Sequence, residues 1–279
     1  MYKLSKVRLF KNKGLNRLGW ELIKTPKILY SKPQEVSLQE RRTIGCTVGT
    51  VNEMNRLKWL EDVLKKIPSG SRILDAGAGE LSKKKYCSHL NYVSQDFAQY
   101  DGVGDGKGLQ TGKWDQTQID IVSDITDLPA PDGSFDAIMC IEVFEHLPDP
   151  VSAIREFSRL LKQGGFLVIS APFCSLTHFA PYHFSTGFSH YYYEKHLSDN
   201  GFDVLEIKPN GNYFEYLAQE IRRLPEIAGK YADSSFSEDD EIAQGQLLYT
   251  LEKLSERDTG SCELLCHGWH VLARKKTVQ

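Results

Sequence analysis

Residues 73–79 read Ile73-Leu74-Asp75-Ala76-Gly77-Ala78-Gly79. A short apolar run delivers a carboxylate and then two glycines one residue apart. This pattern predicts the first strand of an open α/β sheet and the turn that leaves it. In such sheets ligands sit beyond the carboxyl ends of the strands, where the strand order reverses. Glycine lets a ligand approach the backbone closely, because no Cβ intervenes.

Working outward from this stretch, Met54, Leu57, Leu60, Leu64 and Ile67 recur at spacings of three and four, one helical stripe that Pro68-Ser69-Gly70-Ser71 ends. Strand-like runs occupy Arg72–Ala76, Tyr92–Gln95, Ile119–Ser123, Phe135–Ile141 and Phe166–Ala171. Between the last two, Val151, Ile154, Phe157 and Leu161 predict a helix over Pro150–Leu161, and Lys162-Gln163-Gly164-Gly165 reads as its stop. Tyr191–Asn200 reads as a helix closed by Gly201, and Phe202–Ile207 and Gly268–Arg274 as two more strands. Alternating strands and helices imply a mostly parallel seven-stranded sheet with helices on both faces.

Two segments break the alternation. Residues 97–118 carry Gly102, Gly104, Gly106, Gly108 and Gly112 where a crossover helix is expected, and that many glycines disfavour one. Residues 211–261 separate the last two strands with two helix-like stripes and an acidic run, Glu238-Asp239-Asp240-Glu241, which reads as a solvated surface. The expected organisation is a basic arm at 1–45, an α/β core at 46–210, a helical cap or insertion at 211–261, and the final core strand at 262–279.

With 279 residues and 41% hydrophobic residues, the chain can bury a sizeable core. A net charge of −3 gives no global case for a nucleic-acid partner. No apolar run reaches the ~18 residues needed to span a bilayer, and the N-terminus lacks a secretory h-region. The six cysteines are scattered, which reads as reduced thiols in a cytoplasmic protein. Cys262, Cys266, His267 and His270 cluster, but a strand there points Cys266 and His267 apart, against a zinc site. Lys3, Lys6, Arg8, Lys11, Lys13 and Arg17 lie among Leu4, Phe10, Leu18 and Trp20. That arm offers either weak attraction to anionic membrane surfaces or a segment packed on the core.

A dinucleotide fold uses Gly-x-Gly-x-x-Gly, and here the third glycine position is Ser82. Asp75 discriminates further. A carboxylate beside this turn repels a pyrophosphate but attracts the sulfonium and ammonium of S-adenosylmethionine. Asp96, after the second strand, suits the ribose hydroxyls of either NAD or adenosylmethionine. Asp124 with Ile125, after the third, can meet adenine, or Asp124 can be a turn residue.

Taken together, Leu74 to Gly79, Asp96, Asp124-Ile125, Phe135-Asp136-Ala137-Ile138-Met139-Cys140-Ile141-Glu142 and Leu160 to Leu167 resemble the class I S-adenosylmethionine-dependent methyltransferases, of the methyltransferase type 11 kind. The resemblance covers roughly residues 55–208 and the final strand. It implies a Rossmann-like fold with Asp75, Gly77 and Gly79 at the methionine end, Asp96 at the ribose, Asp124 and Ile125 at the adenine, and Cys140 on the strand beside them. Read on its own, Cys140 is a packed strand residue rather than a nucleophile.

Beyond the fifth strand, residues 171–193 are rich in His, Tyr and Phe, including His178, Phe179, Tyr182 and His183. They either line an acceptor pocket or pack the loop onto the core. Glu142, Glu145 and His146 form Glu-x-x-Glu-His at the fourth strand's end. Their spacing can place all three on one side of a turn, where a divalent metal with His178 or His183 as a further ligand is conceivable. The plainer reading, which assigns no metal, has Glu142 supporting the cofactor, Glu145 capping or salt-bridging the next helix and His146 as general base or pocket wall. Similar strings occur in ubiquinone-pathway and small-RNA 2′-O-methyltransferases. The expectation is methyl transfer to a small-molecule or glycan hydroxyl with His146, Glu142, His178 and His183 as catalytic candidates. The alternatives are a silent adenosylmethionine-binding protein and an NAD-dependent enzyme.

Overall fold

The computed structural model describes residues 46–277. All of them fall within one unit, Gln39–Gln279. The expectations for the arm at 1–45 lie outside the described residues. The strands are β1 (Arg72–Ala76), β2 (Asn91–Asp96), β3 (Ile121–Val122), β4 (Phe135–Ile141), β5 (Leu161–Pro172), β6 (Phe202–Asn210) and β7 (Gly268–Lys275). The helices are α1 (Asn52–Leu64), α2 (Pro150–Leu160), α3 (His190–Asp199), α4 (Tyr213–Tyr231) and α5 (Glu238–Ser255). The sheet runs β3-β2-β1-β4-β5-β7-β6. Its pairings are parallel except for β7, which runs antiparallel to both β5 and β6.

Successive β4 side chains point to opposite faces, and this divides the core in two. Ala137, Met139 and Ile141 pack with Trp59, Leu60 and Leu64 of α1. Phe135, Ile138 and Cys140 pack with Ile154, Phe157, Tyr193 and Leu197 of α2 and α3. Chain order reverses between β1 and β4, so the carboxyl ends of these neighbours open the crevice where ligands bind in such sheets.

Two local expectations change. The strand expected over 119–123 is only Ile121–Val122, because the Asp120 carboxylate takes the Ser94 N–H (2.9 Å) and hydroxyl (2.7 Å) where a backbone ladder would continue. The helix stop at Lys162–Gly165 is already strand: α2 ends at Leu160 and β5 begins at Leu161, with a register shift opposite Phe135 to Ala137. Between β1 and β2 the chain makes a single 3₁₀ turn, Lys84–Cys87, rather than a full crossover helix. Residues 97–118 hold no helix, as their glycines predict.

The expected helical insertion is the α4–α5 pair. The acidic run forms the first turn of α5, where Ser237 and Asp240 close a capping box. Carboxylates there complement the helix dipole and stay solvated. Among the described residues no helix is long and apolar enough to cross a membrane.

Candidate active site

A cavity of about 510 Å³ opens over the carboxyl ends of β1, β2 and β4. Gly77 and Gly79 form its floor at the β1 turn. Gly77 has φ +76°, and a Cβ there would lie 2.5 Å from Val143 Cγ2. Only glycine allows the turn to pass beneath that side chain. Asp96 accepts from the Gly79 N–H (2.9 Å) and the Ala98 N–H (2.9 Å), and Gln116 Nε2 lies 3.3 Å away. The carboxylate is therefore fixed at the wall of the cavity it lines. Asp124 and Ile125 also line it. Asp124 accepts from the Thr126 N–H and hydroxyl, both at 2.8 Å, so it is a turn residue as well as a wall residue.

Two residues assigned to the cofactor stand elsewhere. Asp75 is fully buried beneath the glycine turn, behind the cavity wall. The Tyr92 hydroxyl donates to its Oδ2 at 2.7 Å, while Oδ1 has no partner. Burial holds the Asp75 carboxyl above its ordinary value, opposed by Lys83 and Tyr92. Direct attraction between this carboxylate and a cofactor cation therefore loses its geometric basis. Cys140 is fully buried on the α2–α3 face of β4, and burial raises its thiol pKa. Alternation along the strand sends it away from the cavity, which instead meets Ile141, Glu142 and Val143.

The end of β4 carries the polar chemistry. Glu142 has a left-handed backbone, φ +57°, which costs a non-glycine residue energy. Its side chain accepts from Ser170 Oγ (2.7 Å) and pairs with Arg56 Nη1 of α1 at 3.1 Å. Arg56 lies 3.4 Å from Asn52 Oδ1, which in turn accepts from Asn210 Nδ2 at 2.8 Å. Arg56 belongs to no motif and sits on the polar side of a helical stripe, so no sequence signal singled it out.

Glu142, Glu145 and His146 do not converge as their spacing suggested. One 3₁₀ turn, Phe144–His146, sends Glu145 into the interior and His146 to the cavity wall. Glu145 caps no helix; Asp149 caps α2 by accepting from the Val151 and Ser152 N–H groups. Instead Glu145 Oε1 lies 3.7 Å from His146 Nε2 and 3.6 Å from His178 Nε2, within ion-pair range but beyond a hydrogen bond. Burial pushes the Glu145 carboxyl pKa up. Burial opposes charge on His178, yet the Glu145 carboxylate and the Leu176 carbonyl together hold its pKa above the ordinary value.

His146 Nδ1 sits 2.5 Å from the Tyr182 carbonyl oxygen. A carbonyl only accepts, so Nδ1 carries the proton and Nε2 keeps its lone pair. The ring stacks on Phe179 (centroids 5.0 Å apart, 17° between planes). Burial, then the neighbouring His178, lowers the His146 pKa to about 4, so the ring is neutral at pH 7. His178 and His183 stand behind His146, their centroids 4.6 and 6.1 Å from it, and neither lines the cavity. His183 Nε2 lies 3.2 Å from Ser175 Oγ. In the His- and Tyr-rich loop, Phe179, Tyr182 and Phe184 line the cavity while His178 and His183 pack behind.

A family model described as "Methyltransferase domain" matches residues 74–169. Among curated proteins, the chain is 35% identical over 116 residues to the ubiquinone biosynthesis O-methyltransferase of Xylella fastidiosa, covering 40% of this chain and 46% of that protein. It is 31% identical over 119 residues to the same-named protein of Bordetella bronchiseptica, covering 41% and 48%. The chain thus spans about half the length of these relatives. Among solved structures, phosphoethanolamine N-methyltransferase 2 of Haemonchus contortus in complex with S-adenosyl-L-methionine aligns at TM-score 0.46 and 17% identity, over 80% of this chain and 53% of that one. Residues 74–169 thus match a methyltransferase domain, and they lie within the seven-stranded, mostly parallel sheet.

Proposed function

We propose that the protein transfers a methyl group from S-adenosylmethionine to a hydroxyl of a small-molecule or glycan acceptor, with His146 as general base. One observation carries this reading: the cavity lined by Gly77, Gly79, Asp96, Asp124 and Ile125 is also lined by His146, a neutral imidazole locked in one tautomer. Methyl transfer from a sulfonium is an in-line displacement. The acceptor oxygen must face the methyl carbon opposite the sulfur, and its proton must leave. His146 Nε2, buried beside Glu145 and without a hydrogen-bond partner, takes that proton when the ring turns this nitrogen to the acceptor, as the C–O bond forms and the C–S bond breaks. The products are the methyl ether, S-adenosylhomocysteine and a proton that His146 releases to solvent. Glu145, beside Nε2, stabilises the transient imidazolium. Asp96 holds the ribose hydroxyls, and Asp124 with the Ile125 N–H meets the adenine. The partial match to O-methyltransferases supports oxygen as the accepting atom.

A second reading draws on the same turn. Glu145, His146 and His178 each offer a ligand atom within 4.8 Å of the others, and both Glu145 oxygens and His146 Nε2 are buried without hydrogen-bond partners. A carboxylate with two imidazoles fits a borderline divalent cation. Such an ion, when bound, would lower the pKa of an acceptor hydroxyl. Glu142, committed to Arg56 and Ser170, lies outside this group.

The test is incubation with methyl-labelled cofactor and hydroxyl-bearing acceptors fractionated by polarity. Label in an ether linkage is expected. Full turnover in EDTA supports the base alone, and loss that Mg²⁺ or Mn²⁺ restores supports the ion. Label found only on nitrogen, or none on any acceptor, contradicts the proposal.

A further inference from the structure

The glycine-rich segment is a second feature that the chemistry above leaves without a task. It is closed at its base by Thr111 N–H and Gly112 N–H, both donating to the Gly102 carbonyl (3.2 and 3.1 Å), and by Trp114 N–H donating to Asp101 O (2.8 Å). Tyr100 OH braces the interior, donating to Gln110 Oε1 at 2.5 Å. Its tip lies along the loop that bears His178 and Phe179. Leu109 N–H donates to Thr177 O, Phe179 N–H donates to Leu109 O, and Asp105 N–H donates to Ala180 O, each at 3.0 Å. Leu109 and His178 form a parallel bridge.

The glycines that meet this loop have no room for a side chain. A Cβ at Gly104 would fall on the Ala180 carbonyl oxygen, and one at Gly108 on the Thr177 carbonyl oxygen, both well inside the 3.0 Å that real Cβ atoms respect. Gly106 lies between them with the same left-handed backbone, φ +74°, and open space around it. Gly104 and Gly108 thus carry a close approach in addition to the left-handed backbone that they share with Gly106.

We propose that Gly104 and Gly108 are positioning residues: by letting the glycine-rich segment lie against residues 177–180, they fix His178 and Phe179, and through them the ring of His146. Phe179 supplies the face on which His146 stacks, and His178 closes its edge. Both are set by the three backbone bonds to the glycine-rich segment. The inference rests on the assignment of His146 to proton removal, and its test separates the two.

Gly108→Ala is compared with Gly106→Ala, which carries the same backbone strain without the collision. Gly108→Ala must part the loops by about 1 Å, and a misplacement of that size costs up to about 100-fold in turnover. The expected result is a 10- to 100-fold fall in kcat for Gly108→Ala, less than 3-fold for Gly106→Ala, and S-adenosylhomocysteine affinity within 3-fold of the parent in both. Amide hydrogen exchange of Phe179 and Leu109 is read in parallel without any acceptor. It should speed up in Gly108→Ala and not in Gly106→Ala. Equal kcat in the two variants, or a loss of cofactor affinity that matches the loss of turnover, overturns the proposal. Where Gly108→Ala does not fold, Phe179→Leu removes the face on which His146 stacks without touching the glycines; it should lower kcat by about 10-fold or more with S-adenosylhomocysteine affinity within about 3-fold, and an unchanged kcat overturns the proposal. If the parent shows no turnover, the exchange rates decide: selective deprotection at Phe179 and Leu109 keeps the positioning role while the O-methylation reading falls, and unchanged protection overturns both.

Discussion

The two walls of the cavity are built by different means. The wall proposed to hold the cofactor comes from strand ends: Gly77 and Gly79 after β1, Asp96 closing β2, and Asp124 and Ile125 just past β3. Each is held within a few residues of its own strand. The wall proposed to meet the acceptor comes from segments far apart in sequence. His146 leans on Phe179 and Tyr182, more than thirty residues on, and that loop leans on the glycine-rich segment some seventy residues earlier. Strand-end sites depend on the sheet and leave a local signature. Loop-on-loop sites depend on contacts that no local pattern records.

The sharpest way to break this comparison is to remove His146. His146→Ala should lower kcat by about 100-fold or more, the usual contribution of a positioned general base, while cofactor affinity stays within a few-fold. Steady-state kinetics beside calorimetry measure both. Comparable losses in both would merge the two walls into one function.

Asp96→Ala should do the opposite. It removes the proposed ribose contacts and leaves the Gly79 and Ala98 N–H groups without their acceptor. A weakening of about 10- to 100-fold in cofactor Kd is expected for charged hydrogen bonds of this kind, with the acceptor KM little changed. A kcat-only effect would contradict the assignment.

This difference also explains what the sequence disclosed. The α/β core and the strand ends were legible because strand periodicity, a glycine turn and a following acid are local features. The same local view misplaced Cys140, since a motif position does not say which face of β4 a side chain takes. It also misgrouped Glu142, Glu145 and His146. A spacing of three suggested one face of a turn, but the left-handed backbone at Glu142 and the Arg56 pair turn its carboxylate away. Arg56 and Trp114 line the cavity without belonging to any motif, and only the packed fold brings them there. The glycine-rich segment and the loop that holds Thr177–Ala180 were each visible, yet nothing in the sequence paired them.

A smaller effect sharpens the picture at the far side of the sheet. His267 and His270 are buried, and burial lowers each pKa from 6.5 to about 4. Their neutral form is favoured by folding, so the unfolded chain binds protons first as pH falls through 6.5. Stability should therefore drop between pH 6.5 and 4, by at most about 1.4 kcal/mol per pH unit for each ring. His270 stacks on Trp59, with centroids 4.6 Å apart. His270→Phe should keep that contact and flatten the pH dependence of Tm, and an unchanged slope would show that other groups carry it.

The central claim is that the strand-end wall binds S-adenosylmethionine, and the most direct measurement is calorimetric titration of the full chain with S-adenosylhomocysteine and, separately, with NAD. The account predicts one site for the former, weakened in Asp96→Ala and preserved in His146→Ala, and no saturable heat from NAD. Tighter binding of NAD, or an S-adenosylhomocysteine affinity indifferent to Asp96, would contradict it.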